Sequence, residues 1–354
     1  MRPLSSVLAL AAVLACAPEA TSPCYAPASY SYRGEVRSVG QLPGVAYRVL
    51  ALPGGRALAI TADLDQSPYR FEAFTIDPAG GAVESAAAWQ SDLGEVIRLD
   101  DGRIMFFEDF ACRYFLIDLD EPATVTPRTC DFEDMRVTLL WQASGAEVLL
   151  FGEYFGGGSG GGAVFSLDLA TDKVTRLATQ PTEHAFGTPP REPFPLCDGR
   201  LVFPHTMLDG GDFIDDAPAV HYYDPAEKEL TSLDLSFAPE RAAQLDAKTA
   251  LLLGHDDDRA LLAQLLDLEA GTLRPLTAPD EELDTMFDDT VVGLADGTAL
   301  VTGEDGAILV FSPETERFAP QSARFAGAAR HLLRLSTGPV LAFTDADNQI
   351  DIYE

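Results

Sequence analysis

Carboxylates recur in this chain at a fixed place relative to short apolar runs. Asp63 and Asp65, Glu108 and Asp109, Glu153, Asp209 and Asp212, Asp256 to Asp258, Glu304 and Asp305, and Asp345 and Asp347 each follow such a run. Carboxylate oxygens can take a hard cation such as calcium. Two carboxylates held about 5–10 Å apart can serve as acid and base in hydrolysis, with Glu108, Asp109, Glu153, Asp256 and Glu304 as first choices. A cluster of like charge can also focus a field that draws in basic surfaces. The alternative is that these acids are only solvated, because turns favour Asp and the formal net charge is −32. The stretch Asp345-x-Asp347-x-Gln349 lacks the glycine and closing Glu of a calcium hand, so calcium stays possible without a motif, and no other cofactor is expected.

Other reactive groups do not converge in sequence. His184, His205, His221, His255 and His331 are scattered. His205 and His255 both follow an apolar run, but a zinc site from them lacks a third ligand; His221, beside Tyr222, reads as structural. Gly157-Gly158-Ser159-Gly160-Gly161 matches the nucleophile pattern Gly-x-Ser-x-Gly formally. That pattern works on a strand-to-helix elbow, whereas this serine sits in a glycine run between two strands. No Gly-Lys-Ser/Thr end makes the run a phosphate loop.

The N-terminus addresses the compartment. Arg2 precedes an apolar run, Val7 to Leu14, too short to span a membrane but suited to an export signal. Val13-Leu14-Ala15-Cys16 resembles a bacterial lipobox, which makes residues 1–15 a signal peptide, Cys16 the lipidated residue and residues 16–31 a tether. Plain cleavage near Ala15-Cys16-Ala17 is the alternative. The expected location is extracytoplasmic: outer-membrane lipoprotein, periplasm or cell surface, with the membrane met only through the lipid. In an oxidising compartment Cys24, Cys112, Cys130 and Cys197 form an even set. Cys112–Cys130 falls within one repeat, leaving Cys24–Cys197; free buried thiols are the alternative. The strong negative charge repels phosphate backbones, so nucleic acid is excluded as a partner.

What must position the carboxylates is a repeat. Helical periodicity is almost absent. Instead an apolar strand, a tight turn, a second apolar strand, a polar loop, a third strand and an Asp-centred turn recur. Anchored on Gly55, Gly102, Gly145, Gly199, Ala247, Gly297 and Gly338, the tight turns are spaced 47, 43, 54, 48, 50 and 41 residues apart. Asp-Gly between apolar runs is a hairpin signal, because Gly takes positive φ without a Cβ clash. The second marker reads Phe74-Thr75-Ile76-Asp77-Pro78, Phe115-Leu116-Ile117-Asp118, Phe165-Ser166-Leu167-Asp168 and Tyr222-Tyr223-Asp224-Pro225. There are seven tight turns, but the last unit stops at Ile350-Asp351-Ile352-Tyr353 without a fourth strand. The spare strand is Tyr32 to Val39, which predicts an all-β, seven-bladed β-propeller over residues 32–354, its last blade closed by the N-terminal strand. A pair of all-β domains is the alternative.

The Asp-Gly-Arg-apolar hairpin and the aromatic-x-Asp-Pro turn resemble the kelch-type β-propeller superfamily, over essentially all of the exported chain. Single glycines, Gly152, Gly254 and Gly303, stand where kelch units carry a doublet, and only Trp89 and Trp141 represent their spaced aromatics. In such a ring every second-to-third-strand loop opens on one end, which predicts an acidic face of Asp63, Glu108, Asp109, Glu153, Asp209, Asp256, Glu304 and Asp345. The expected function is a monomeric, non-catalytic binding or scaffold propeller for a protein, small-molecule or cation partner. The alternative is a secreted carbohydrate-active or lactone-hydrolysing enzyme with its carboxylates at the axial mouth.

Overall fold

The computed structural model describes residues 30–109, 111–120, 123–131, 135–154, 161–179, 193–204, 219–235, 237–255, 261–278, 290–303 and 305–354. Among these, 28 strands form seven four-stranded antiparallel sheets. Blade 1 runs outward through Ala46–Leu52, Arg56–Asp63, Tyr69–Asp77 and Ala82–Ser91. The innermost strands of blades 2 to 6 are Gly94–Arg98, Met135–Ser144, Phe194–Pro195, Ala238–Gln244 and Val291–Gly293. Blade 7 consists of Ala329–Arg334, Val340–Thr344, Gln349–Tyr353 and, outermost, Val36–Gln41 from the N-terminus.

The second strands are apolar throughout because both faces are covered. Ala57 and Ala59 pack against blade 7, while Leu58 and Ile60 between them pack against blade 2. The same alternation fills every junction. The buried apolar residues divide into seven clusters, each joining two consecutive blades, including blade 7 to blade 1. As many junctions as blades is the condition for a closed ring. The outermost strands have one wet face and read accordingly, as in Lys173–Thr179 and Glu229–Asp234.

The tight turns follow from local chemistry. Gly102 and Gly199 sit at φ 91°, where a Cβ would be strained. Beside them the Asp101 and Asp198 Oδ1 atoms accept the backbone N–H two residues on, at 3.1 Å each. Arg103 and Arg200 then fold back onto the same carboxylates. The third-to-outermost turns repeat the device, with Asp77, Asp168, Asp224 and Asp267 each accepting the N–H two residues on. Both sets of turns lie at one end of the ring, the tight-turn end. The second-to-third-strand loops and the blade-to-blade connections lie at the other, the loop end.

The closing strand is shifted from its expected place, Val36–Gln41 rather than Tyr32 to Val39, pairing Val36 with Tyr353 and Gln41 with Gln349. The partner strand ends at Tyr353, so the residues ahead of Val36 have little ladder left to join. Tyr32 docks on the tight-turn end instead: its hydroxyl donates to Gly338 O (2.6 Å) and accepts from Ala295 N (3.0 Å), and its ring stacks on Tyr353. Cys112 and Cys130 form a disulfide with Cα atoms 5.1 Å apart, joining the ends of blade 2's two outer strands. Cys197 is also disulfide-bonded; Cys16 and Cys24 lie outside the described residues.

Candidate functional site

Among the described residues, the predicted carboxylates of blades 1, 2, 6 and 7 lie at the loop end, but they face different ways. In blade 1, Asp63 and Asp65 are exposed; Asp63 accepts from the Asp65 N–H (3.2 Å) and from Gln66 Nε2 (2.5 Å). In blade 6 Asp305 is exposed, and in blade 7 Asp345 and Asp347 are exposed. Blades 6, 7 and 1 are consecutive around the ring, so these five groups form an acidic arc. None of the five makes an ion pair with a described residue. The side chain of Glu153, and all of Asp209, Asp212, Asp256, Asp257, Asp258 and Glu304, lie outside the described set.

Blade 2 departs from the expected outward-facing rim. Glu108 is only 2% exposed. Its Oε1 accepts from Ser91 Oγ (2.7 Å) and Asp92 N (3.4 Å) and pairs with Arg113 at 3.3 Å. It is committed to joining blade 2 to the connection from blade 1, and it is not free for a partner. Asp109 is held by its backbone: its N–H donates to Leu93 O and its carbonyl accepts from Val137 N of blade 3, both at 2.9 Å. Its Oδ1 is buried without a hydrogen-bond partner among the described residues. Burial, then the negative charge of Glu95, push its carboxyl pKa up to about 7, with Arg48 and Arg136 pulling the other way.

Those opposing charges belong to the innermost strands, a group that the loop pattern does not reveal. The inner strands of blades 1, 3, 5 and 7 each shift register at the loop end, between Ala46 and Arg48, Val137 and Leu139, Pro239 and Arg241, and Ala329 and His331. A bulge re-aims the side chains beside it, and at or next to these lie Arg48, Arg136, Arg241 and Arg330. A signal for them exists in the sequence, since each precedes its turn anchor by six to nine residues. Arg48 grips Glu95 of blade 2 with two nitrogens, Nη2 to Oε1 at 2.6 Å and Nε to Oε2 at 3.3 Å, while its guanidinium lies 4.4 Å from the centre of the Tyr47 ring. The Tyr47 hydroxyl donates to Gly94 O (3.0 Å) and accepts from Gly94 N (3.1 Å). A Cβ on Gly94 would fall 2.1 Å from Phe107 O, so only glycine fits. The axial mouth between blades 1, 2 and 3 is therefore a mixed-charge cluster, and the exposed carboxylates of the arc lie on the second-to-third-strand loops of blades 6, 7 and 1.

The described histidines are structural. His221 is buried and bonds Ser232 Oγ through Nδ1 at 2.8 Å. His331 Nε2 meets Ala46 O at 2.8 Å, tying blade 7 to blade 1. His184, His205, Ser159 and the side chain of His255 lie outside the described residues. Among the described residues no three His, Cys, Asp or Glu side chains are grouped to hold a metal ion, and no helix is long and apolar enough to cross a membrane.

A closed ring of seven antiparallel blades defines a seven-bladed β-propeller. No family model matches the chain, and no curated protein does. Solved structures do. A fungal alcohol oxidase of the AA5 family in complex with copper is 15% identical, with TM-score 0.60 over 90% of this chain and 75% of its own. A streptogramin B lyase is 10% identical, with TM-score 0.60 over 90% of this chain and 97% of its own. The WD40 propeller domain of Doa1 is 12% identical, with TM-score 0.55 over 90% and 97%. At such identities the likeness is one of fold, shared by proteins of unrelated activity.

Proposed function

We propose that this chain is an exported, kelch-like binding propeller that works without catalysis and offers its loop end to a basic protein surface or a cation. The acidic arc carries the reading: Asp305, Asp345, Asp347, Asp63 and Asp65 stand exposed on three consecutive blades without ionic partners among the described residues. At the same end of blade 1, Leu64 is 58% and Val45 44% exposed, the two large apolar side chains most open to water among the described residues. A lysine-rich surface with an apolar contact would complement such a patch. The apolar run before Cys16 supports export and lipid anchoring.

The test is a binding titration with a lysine-rich protein, comparing wild type with Asp63→Lys/Asp65→Lys/Asp345→Lys/Asp347→Lys. Binding should weaken at least about tenfold in the variant and fall as salt rises. Equal affinity of the two proteins, or turnover of a sugar or lactone by the wild type, would overturn the reading. One observation favours the hydrolase alternative: Asp109, pushed up to about 7, retains its proton near neutrality as a general acid must. That alternative requires Asp109→Asn to abolish a measured hydrolysis.

A further inference from the structure

The two ends of the propeller are not equivalent with respect to the N-terminus. The chain enters the described structure at Tyr30, against the tight turn of blade 7: a Cβ on Gly338 would lie 2.4 Å from the Tyr30 ring. Tyr32 then spans the tight turns of blades 6 and 7 through Ala295 and Gly338. Cys197 belongs to the corresponding turn of blade 4, beside Asp198 and Gly199, on the far side of the ring from blade 7. It is disulfide-bonded, and Cys112 and Cys130 are bonded to each other. Of the five cysteines, Cys16 and Cys24 remain as partners, and lipidation would commit Cys16.

We propose that Cys24 pairs with Cys197, and that the protein is thereby held with its tight-turn end toward the anchored N-terminus and its acidic loop end facing away. Both halves of this inference rest on the lipid-anchor reading of Cys16, which is what leaves Cys24 as the partner of Cys197; peptide mapping tests the pairing directly. The disulfide shortens the free tether from a sequence separation of 14, Cys16 to Tyr30, to one of 8, Cys16 to Cys24. For a flexible chain that reduces the typical span from about 21 Å to about 16 Å. The eight-residue strand Arg56–Asp63 places the loop end about 25 Å beyond the tight-turn end. A tether of that length leaving from the tight turns brings this end to the surface first. The tether then leaves the propeller at the blade 4 turn, at the same end on which Tyr30 and Tyr32 dock against blades 6 and 7. The acidic arc is then presented to partners in solution or on an opposing surface, and the anchoring bilayer is not its target.

Two measurements test this on the full lipidated chain purified from bacterial membranes. Peptide mapping without reductant should yield a Cys24–Cys197 cross-linked peptide; a Cys16–Cys197 peptide or a free Cys197 would overturn the pairing. For orientation, a fluorescent residue is placed at Ala79, exposed on the tight-turn end of blade 1, or at Leu64 on its loop end. Both proteins are inserted in phosphatidylcholine vesicles carrying a headgroup quencher. Quenching should be several-fold stronger at position 79, and the contrast should shrink in Cys24→Ser/Cys197→Ser. Equal or reversed quenching in vesicle-bound protein would overturn the orientation while leaving the anchor intact. Vesicle association that persists in Cys16→Ser would instead overturn the anchor reading and the orientation built on it, with the peptide map still deciding the pairing.

Discussion

Asp109 in blade 2 and Asp345 in blade 7 occupy the same place in the repeat. Each donates its backbone N–H, at 2.9 Å, to the residue just ahead of its blade's innermost strand, Leu93 for one and Ala328 for the other. Yet Asp345 is exposed, while Asp109 has a buried oxygen with no hydrogen-bond partner among the described residues. The difference lies in what the next blade offers. The Asp109 carbonyl is captured by Val137 of blade 3, which draws the loop over the axial mouth beside Glu95, Arg48 and Arg136. The loop of blade 7 turns away, with Asp347 and Asn348 at φ 53° and 55° and Gln41 donating to Asp347 O at 2.5 Å. Topology fixes where a loop carboxylate is rooted; the neighbouring blade decides which way it faces.

The largest expected effect comes from Asp109. A carboxyl whose folded pKa is raised from 3.8 to about 7 contributes most below the unfolded value; its contribution is lost as pH rises from about 4 to about 7 and is flat above. Asp109→Asn removes that loss, so its advantage over wild type should grow across this window to as much as about 4 kcal/mol, read as the melting temperatures at pH 4, 6 and 8. A pH-independent difference would show that the carboxyl is wetter than its burial indicates. Next comes the disulfide beside it. Cys112→Ser/Cys130→Ser opens a cross-link of sequence separation 18 and should cost about 3 kcal/mol by denaturant unfolding. An unchanged midpoint would mean that the blade-2 loop is held by its backbone bonds alone. Glu108→Ala should cost about 2 kcal/mol, since it strips a buried acceptor from Ser91 and the partner from Arg113. A neutral result would place Glu108 back among the outward-facing acids.

The parts of this structure legible in sequence are those whose causes are local. Asp101-Gly102-Arg103 and Asp198-Gly199-Arg200 specify their turns by themselves, because carboxylate, positive φ and returning guanidinium lie within three residues. Closure was legible by counting: seven tight turns with one outer strand missing can be completed only by the spare strand at the start. Its register was not, since the length of Gln349–Tyr353 and the docking of Tyr32 set it from the far end of the chain. The inward turn of Glu108 was hidden for the same reason. Ser91 lies 17 residues away on an outermost strand, and no repeat position marks it as a partner. The bulges that gather Arg48 and Arg136 toward the axis are likewise properties of strand pairs.

The smallest expected effect tests the other half of the comparison. Asp345→Ala removes an exposed carboxylate whose backbone, and not its side chain, anchors the loop, so stability should change by no more than about 0.5 kcal/mol. Its effect belongs to association instead. Each charge lost from the arc should lower the on-rate for a lysine-rich partner and flatten its dependence on salt, with the off-rate nearly unchanged, because solvated charges at a rim steer encounter more than they hold the complex. Asp345→Ala and Asp63→Ala should act alike and additively, being on adjacent blades without shared partners, whereas Glu108→Ala should leave the salt dependence untouched while lowering the melting temperature. Reversal of that pattern, with Glu108 governing association and Asp345 stability, would mean that the buried carboxylate of blade 2 and the exposed one of blade 7 exchange roles in solution, and that the acidic arc is not the surface on which partners land.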